Sequence, residues 1–118
     1  MSLSINSKTY TPDNYAPDSV GYKGPNHSLS VTDFLSLGRV LAKPTTVFSG
    51  VARTQAKLTR TLTLTGALTP SGNAIMTVNV SVPVGASSTD LDAICDDMGD
   101  YISSADFKTL MENQKISY

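Results

Sequence analysis

Between Lys57 and Val82 the chain alternates polar and apolar residues on both sides of a turn, and few folds accept that pattern. Leu58, Leu62 and Leu64 fall on one side, while Lys57, Thr59, Thr61, Thr63 and Thr65 fall on the other. After the turn, Met76, Val78, Val80 and Val82 share one side and Thr77, Asn79 and Ser81 the other. A period of two means strands with one covered and one open face. The intervening Thr69-Pro70-Ser71-Gly72-Asn73 has the composition of a turn. The two segments are therefore predicted to form an antiparallel hairpin, aliphatic on one face and covered with hydroxyls and amides on the other. Arg60 interrupts the leucine side, so an edge, a bulge or a gap is expected there.

After Pro83 the period changes to that of a helix. Ser87 or Ser88 can cap its start, with Asp90 placed to complement the first turn. Leu91, Ile94, Cys95, Met98, Tyr101 and Ile102 make one apolar stripe, and Asp92, Asp96, Asp97 and Asp100 lie on the outer side. Ser103-Ser104 can end this helix and cap a shorter one carrying Phe107, Leu110 and Met111. Upstream, residues 29–54 are apolar with β-type content, divided by Gly38 and Lys43-Pro44, and accommodate two or three strands. Residues 1–28 hold a short alternating Leu3-Ser4-Ile5 and then turn-rich sequence, as in a loose hairpin or an arm.

Strands first and helices last define an α+β layer in a single domain of 118 residues: hairpin or arm 1–28, antiparallel sheet 29–83, helices 87–113. About 25 helical residues cannot cover five strands roughly 20 Å long. The leftover apolar surface and open sheet edges call for a second copy, and a symmetric dimer with a continuous sheet satisfies both. Leu91, Ile94, Met98, Tyr101, Phe107 and Leu110 are the candidate dimer-interface residues. Charged residues are only 16% of the chain, against about 25% in ordinary soluble domains, which also fits a surface hidden in a partner.

The net charge of −1 conceals a dipolar chain. Residues 1–86 hold seven basic and three acidic side chains, a balance of +4; residues 87–118 hold two and seven, a balance of −5. The sheet half can face a polyanion while the helical half faces solvent. No apolar run reaches the roughly 20 residues of a membrane helix, and Met1–Asn6 lacks the pattern of a secretory signal. No membrane partner is expected.

Catalytic chemistry has little to build on. The single histidine, His27, sits in a Pro/Asn/Ser loop and reads as a solvated side chain. The single cysteine excludes an internal disulfide and a cysteine zinc cluster, and Cys95 reads as a small core residue on the helix stripe. Asp92 and Asp96 lack a third ligand for a hard cation. No phosphate-loop, dinucleotide or nucleophile-elbow string occurs. No catalytic residue, metal, cofactor or small-molecule substrate is expected, and the chain does not read as an enzyme. The polar sheet face remains. It is either a solvated outer face or a platform whose hydroxyls, amide and cations meet RNA, without aromatic residues for stacking.

The order of parts resembles the coat proteins of single-stranded RNA bacteriophages of the levivirus type. The run Thr77-Val78-Asn79-Val80-Ser81-Val82-Pro83-Val84-Gly85-Ala86-Ser87-Ser88-Thr89-Asp90 resembles that family's last strand, Pro turn and helix start. Lys57-Leu58-Thr59-Arg60-Thr61 is similar to the preceding strand, and Ile116-Ser117-Tyr118 to the family's terminus. The resemblance is residue-level over about 45–118 and architectural before that.

It implies an N-terminal β-hairpin, a five-stranded antiparallel sheet and two C-terminal helices. Two subunits would interlock into a dimer with a ten-stranded sheet, each laying its helices across its partner. Dimers would assemble into an icosahedral virion in the bacterial cytoplasm. The polar face would line the interior and hold the single-stranded RNA genome. In many members a dimer also grips one RNA hairpin and represses translation. Carried over by position, Lys57, Thr59, Thr61, Thr77 and Asn79 would face RNA, joined by Arg53 and Ser49 from an earlier strand. Ile75 stands where some members have a stacking tyrosine, and Thr61 where some have a lysine, so general genome binding is implied more strongly than a hairpin grip. The loop Thr69–Asn73 is shorter than in some relatives. A non-viral dimeric sheet module that binds RNA is the alternative.

Overall fold

A computed structural model of the chain describes residues 2–47, 50–66 and 68–116. They form two compact units, Met1–Val84 and Gly85–Tyr118.

The first unit is an antiparallel sheet whose six strands lie in sequence order: β1 (Leu3–Ile5), β2 (Lys8–Ala16), β3 (Ser19–Lys23), β4 (Asp33–Val40), β5 (Val51–Thr63) and β6 (Ser71–Pro83). The N-terminal segment expected as a loose hairpin or arm continues the sheet through β1, β2 and β3. Asn6 and Ser7, both at positive φ (51° and 63°), make the two-residue turn between Ile5 and Lys8. Pro12 has no N–H to give a ladder, and the register slips between Pro12 and Asn14. The bulged residue, Asp13, pairs with Lys23 at 3.1 Å.

Residues 29–54 supply β4 and the beginning of β5. Gly50 between them has φ +97°, and a Cβ there would come within 3.1 Å of the Lys43 backbone, so only glycine suits this approach. β5 and β6 pair over their whole length, from Val51 opposite Pro83 to Thr63 opposite Ser71. The turn is therefore tighter than its composition suggested. Gly72 and Asn73 already stand in the ladder opposite Leu62 and Thr61, and Leu64 N–H closes the loop on the Pro70 carbonyl.

The core lies on the aliphatic face. Tyr10, Tyr22 and Leu35 are buried, with Leu3, Val20, Leu37 and Leu58 packed against them. Arg60 sits on this side without a bulge or gap. It faces the buried Asp33 directly across the ladder, with Nε 3.3 Å from Asp33 Oδ1 and Nη2 2.7 Å from the Tyr10 hydroxyl. Gly24 lies against the Asp33 carboxylate, where a Cβ would collide with its oxygens. His27, expected to be solvated, is half-buried and accepts the Asp33 N–H on Nδ1 at 3.1 Å.

The second unit holds α1 (Ser88–Ile102) and α2 (Ala105–Asn113). Ser87 caps α1 by accepting from Asp90 N–H, and Ser104 caps α2 by accepting from Phe107 N–H. Tyr101 and Phe107 meet edge to face at 5.5 Å across the bend. No residue of either helix is buried. Cys95, read from the sequence as core, is exposed.

Candidate nucleic-acid interface

Residues directly opposite one another in antiparallel strands project to the same side. The register therefore sorts β4, β5 and β6 into rows on the polar face. Arg53 stands beside Ser81, Gln55 beside Asn79, Lys57 beside Thr77, Thr59 beside Ile75, and Thr61 beside Asn73. β4 adds Gly38 to the Gln55 row, Ser36 to the Lys57 row and Phe34 to the Thr59 row. Six of the seven residues assigned from sequence (Arg53, Lys57, Thr59, Thr61, Thr77 and Asn79) thus share one face of two neighbouring strands. Ser49 lies outside the described residues.

By the same register Lys23, opposite Phe34, also lies on this face, so the cations here are not all alike. Among the basic residues of β3–β6, Lys23 is paired with Asp13, Arg39 with Asp18 and Arg60 with Asp33. Arg53 and Lys57 are exposed and have no ion pair among the described residues. They stand four residues apart on β5, about 13 Å along the strand, with Gln55 between them. Two cations held over a sheet without an ion pair among the described residues form a surface attractive to phosphate.

Gly38 leaves the sheet backbone bare beside Gln55. An open hollow of about 570 Å³ lies over this end of the sheet, lined by Ser19, Gly38, Arg53, Gln55, Asn79 and Ser81 among others, with Asp18 at its margin. Gln55, Asn73 and Ser81 stand on this face as well, beyond the residues assigned from the sequence. The signal was present: Gln55 lies midway between Arg53 and Lys57 at strand period, Ser81 follows Asn79 by two, and Asn73 precedes Ile75 by two.

Two assigned residues have local settings that the alternation did not show. Thr59 is half-buried between Phe34 and Ile75, so an apolar row crosses the polar face, and Phe34 is an aromatic on a face read as having none. The Phe34 ring overlies Gly21, where a Cβ would collide with it. Thr61 is already engaged: its hydroxyl accepts from Thr32 N–H at 2.9 Å and donates to Asn73 Oδ1 at 2.8 Å. No cluster of three metal-ligating side chains occurs among the described residues.

The residues assigned to a dimer interface also have a place. Ile94, Met98 and Tyr101 are exposed; Leu91, Phe107 and Leu110 are half-buried. On the aliphatic face of β6, Met76, Val78 and Val80 are 36–41% exposed. β6 is the last strand of the sheet, 13 residues without a charged side chain. Unprotected edges of this length are rare on isolated proteins.

A six-stranded antiparallel meander followed by two serine-capped helices, with one open polar face, defines an α+β sheet-platform protein. No protein-family model matches the sequence, and no curated protein matches it. Solved structures do. A virus-like particle of Wenzhou levi-like virus 4 superimposes with a TM-score of 0.80 at 20% identity, over 98% of this chain and 82% of that one. A virus-like particle of bacteriophage AVE019 gives 0.77 at 10% identity, over 100% and 96%. The bacteriophage EMS014 coat protein gives 0.61 at 16% identity, over 84% and 66%. The chain has the leviviral coat-protein fold.

Proposed function

We propose that this chain is a coat protein of a leviviral, single-stranded RNA bacteriophage. It dimerises, assembles into an icosahedral shell in the bacterial cytoplasm, and packages RNA against the polar face of its sheet. The observation that carries this reading is the pair of unpaired cations, Arg53 and Lys57, on the same face as Thr59, Thr77 and Asn79. The structures sharing the fold include particles of levi-like viruses and a phage coat protein. In the dimer, the uncharged β6 edge meets its counterpart, and Leu91, Ile94, Met98, Tyr101, Phe107 and Leu110 cover aliphatic sheet surface of the partner. The shell carries the acidic helices outward and the basic sheet inward. Ile75 in place of a stacking tyrosine favours general genome binding over a hairpin grip with translational repression.

Expression of the chain alone tests this. The expected product is a megadalton particle by light scattering and electron microscopy, with a nucleic-acid absorbance ratio showing packaged host RNA. A stable dimer free of nucleic acid would reject the coat-protein reading and favour a small sheet-platform module.

A further inference from the structure

We infer that Asn73 is a further RNA contact, and that Thr61 acts through it as a positioning residue rather than by touching RNA. This rests on the reading of the polar face as an RNA surface. Thr61 and Thr32 are tied by two bonds: Thr61 N–H donates to the Thr32 carbonyl at 2.8 Å, and Thr32 N–H donates to the Thr61 hydroxyl at 2.9 Å. The hydroxyl then spends its only hydrogen on Asn73 Oδ1, 2.8 Å away across the β5–β6 ladder. In this arrangement the amide nitrogen of Asn73 points away from Thr61. The Asn73 side chain is exposed, and its two Nδ2 hydrogens have no protein acceptor among the described residues.

Held this way, Asn73 turns its two N–H donors outward. Gln55 and Asn79 differ: neither makes a side-chain hydrogen bond among the described residues, so either amide can rotate half a turn to present its C=O or its NH₂. The face combines untethered amides near Arg53 and Lys57 with one tethered amide beyond the Phe34–Thr59–Ile75 row. From Lys57 to Thr61 is about 13 Å along the strand. An RNA strand lying along this pair of strands meets positive charge at one end and an oriented donor at the other. The ligand group at Asn73 is a hydrogen-bond acceptor oxygen of single-stranded RNA, either a phosphate oxygen or a base carbonyl.

The test is binding of fluorescent oligouridine and oligoadenine to the purified protein at fixed salt. Asn73→Ala is expected to weaken binding about fivefold, the effect of one lost hydrogen bond. Thr61→Val should match it, Thr61→Ser should bind as wild type, and the double variant Thr61→Val with Asn73→Ala should bind no worse than Asn73→Ala alone. A role for Thr61 in stability only would not vanish in the Asn73→Ala background. Equal losses on both RNAs assign the acceptor to phosphate; a loss on oligouridine alone assigns it to a base carbonyl, which adenine lacks. Wild-type affinity in Asn73→Ala, or losses that multiply in the double variant, overturn the inference. If Arg53→Ala with Lys57→Ala weakens binding while Asn73→Ala does not, the RNA face stands and only the role of Asn73 falls. A wild-type protein that binds neither RNA removes the RNA reading itself.

Discussion

Asp33 on β4 stands directly opposite Arg60 on β5, and the two are joined by an ion pair of 3.3 Å on the otherwise aliphatic side of the sheet. The Asp33 side chain is 2% exposed and that of Arg60 35%. Arg60 also donates to the Tyr10 hydroxyl, which links the N-terminal strands to the middle of the sheet. A charged residue on a leucine face is therefore the anchor for a buried partner.

Removing one member of this pair leaves the other without its partner in a low-dielectric site. Arg60→Ala strands the buried Asp33 carboxylate and is expected to destabilise the fold by about 3 kcal/mol. Replacing both together, Asp33→Leu with Arg60→Met, should recover most of that loss, because the desolvation of both charges is removed as well. Urea denaturation followed by circular dichroism at a fixed protein concentration checks both. Wild-type stability in Arg60→Ala would show that the pair holds nothing.

The first turn offers a gain. Ser7 holds φ at 63°, a left-handed conformation that costs a side chain about 1 kcal/mol and glycine nothing. Ser7→Gly should therefore raise stability, by roughly 0.5 kcal/mol once the freer unfolded chain is counted. A raised thermal midpoint is the expected result. A lowered one would mean that the Asn6-Ser7 turn is not the native one.

On the polar face, Arg53→Ala with Lys57→Ala should reduce RNA binding without disturbing the sheet, since neither side chain has an ion pair to lose. Each phosphate contact on single-stranded RNA contributes about 0.7 to the slope of log affinity against log salt, so the slope should fall by roughly 1.4. Packaged RNA should fall with it. An unchanged slope and unchanged RNA content would place the nucleic acid elsewhere.

Strand period carried most of this architecture. The alternation from Lys57 to Val82 gave both long strands and their faces, and the serine caps gave both helices, because those signals are local. The polar alternation likewise brought Lys57, Thr59, Thr77 and Asn79 to one face, and Arg53, expected on an earlier strand, joins them at the start of β5. What it lacked was cross-strand information. Nothing near Arg60 in sequence shows that Asp33 stands opposite, and nothing near Thr61 shows that Thr32 and Asn73 take both ends of its hydroxyl. The N-terminal strands were obscured by prolines, since the Pro12 bulge and the Pro17-Asp18 turn break the period that would have shown β2 and β3.

The α1 stripe gives the sharpest test of association. Met98 is 53% exposed in the single chain, yet it stands at the centre of an apolar run from Leu91 to Ile102, opposite a row of aspartates. If a partner's sheet covers this stripe, Met98→Asp places an unpaired carboxylate in the contact and weakens the dimer by roughly 100-fold or more, while the exposed helix itself still forms. Asp97→Ala, on the outer side of the same turn, should leave the dimer intact. Light scattering separates the two variants, and circular dichroism verifies that both keep their helices. Wild-type assembly by Met98→Asp would mean that this stripe faces solvent in the particle, and that the sheet's aliphatic surface is covered by something else.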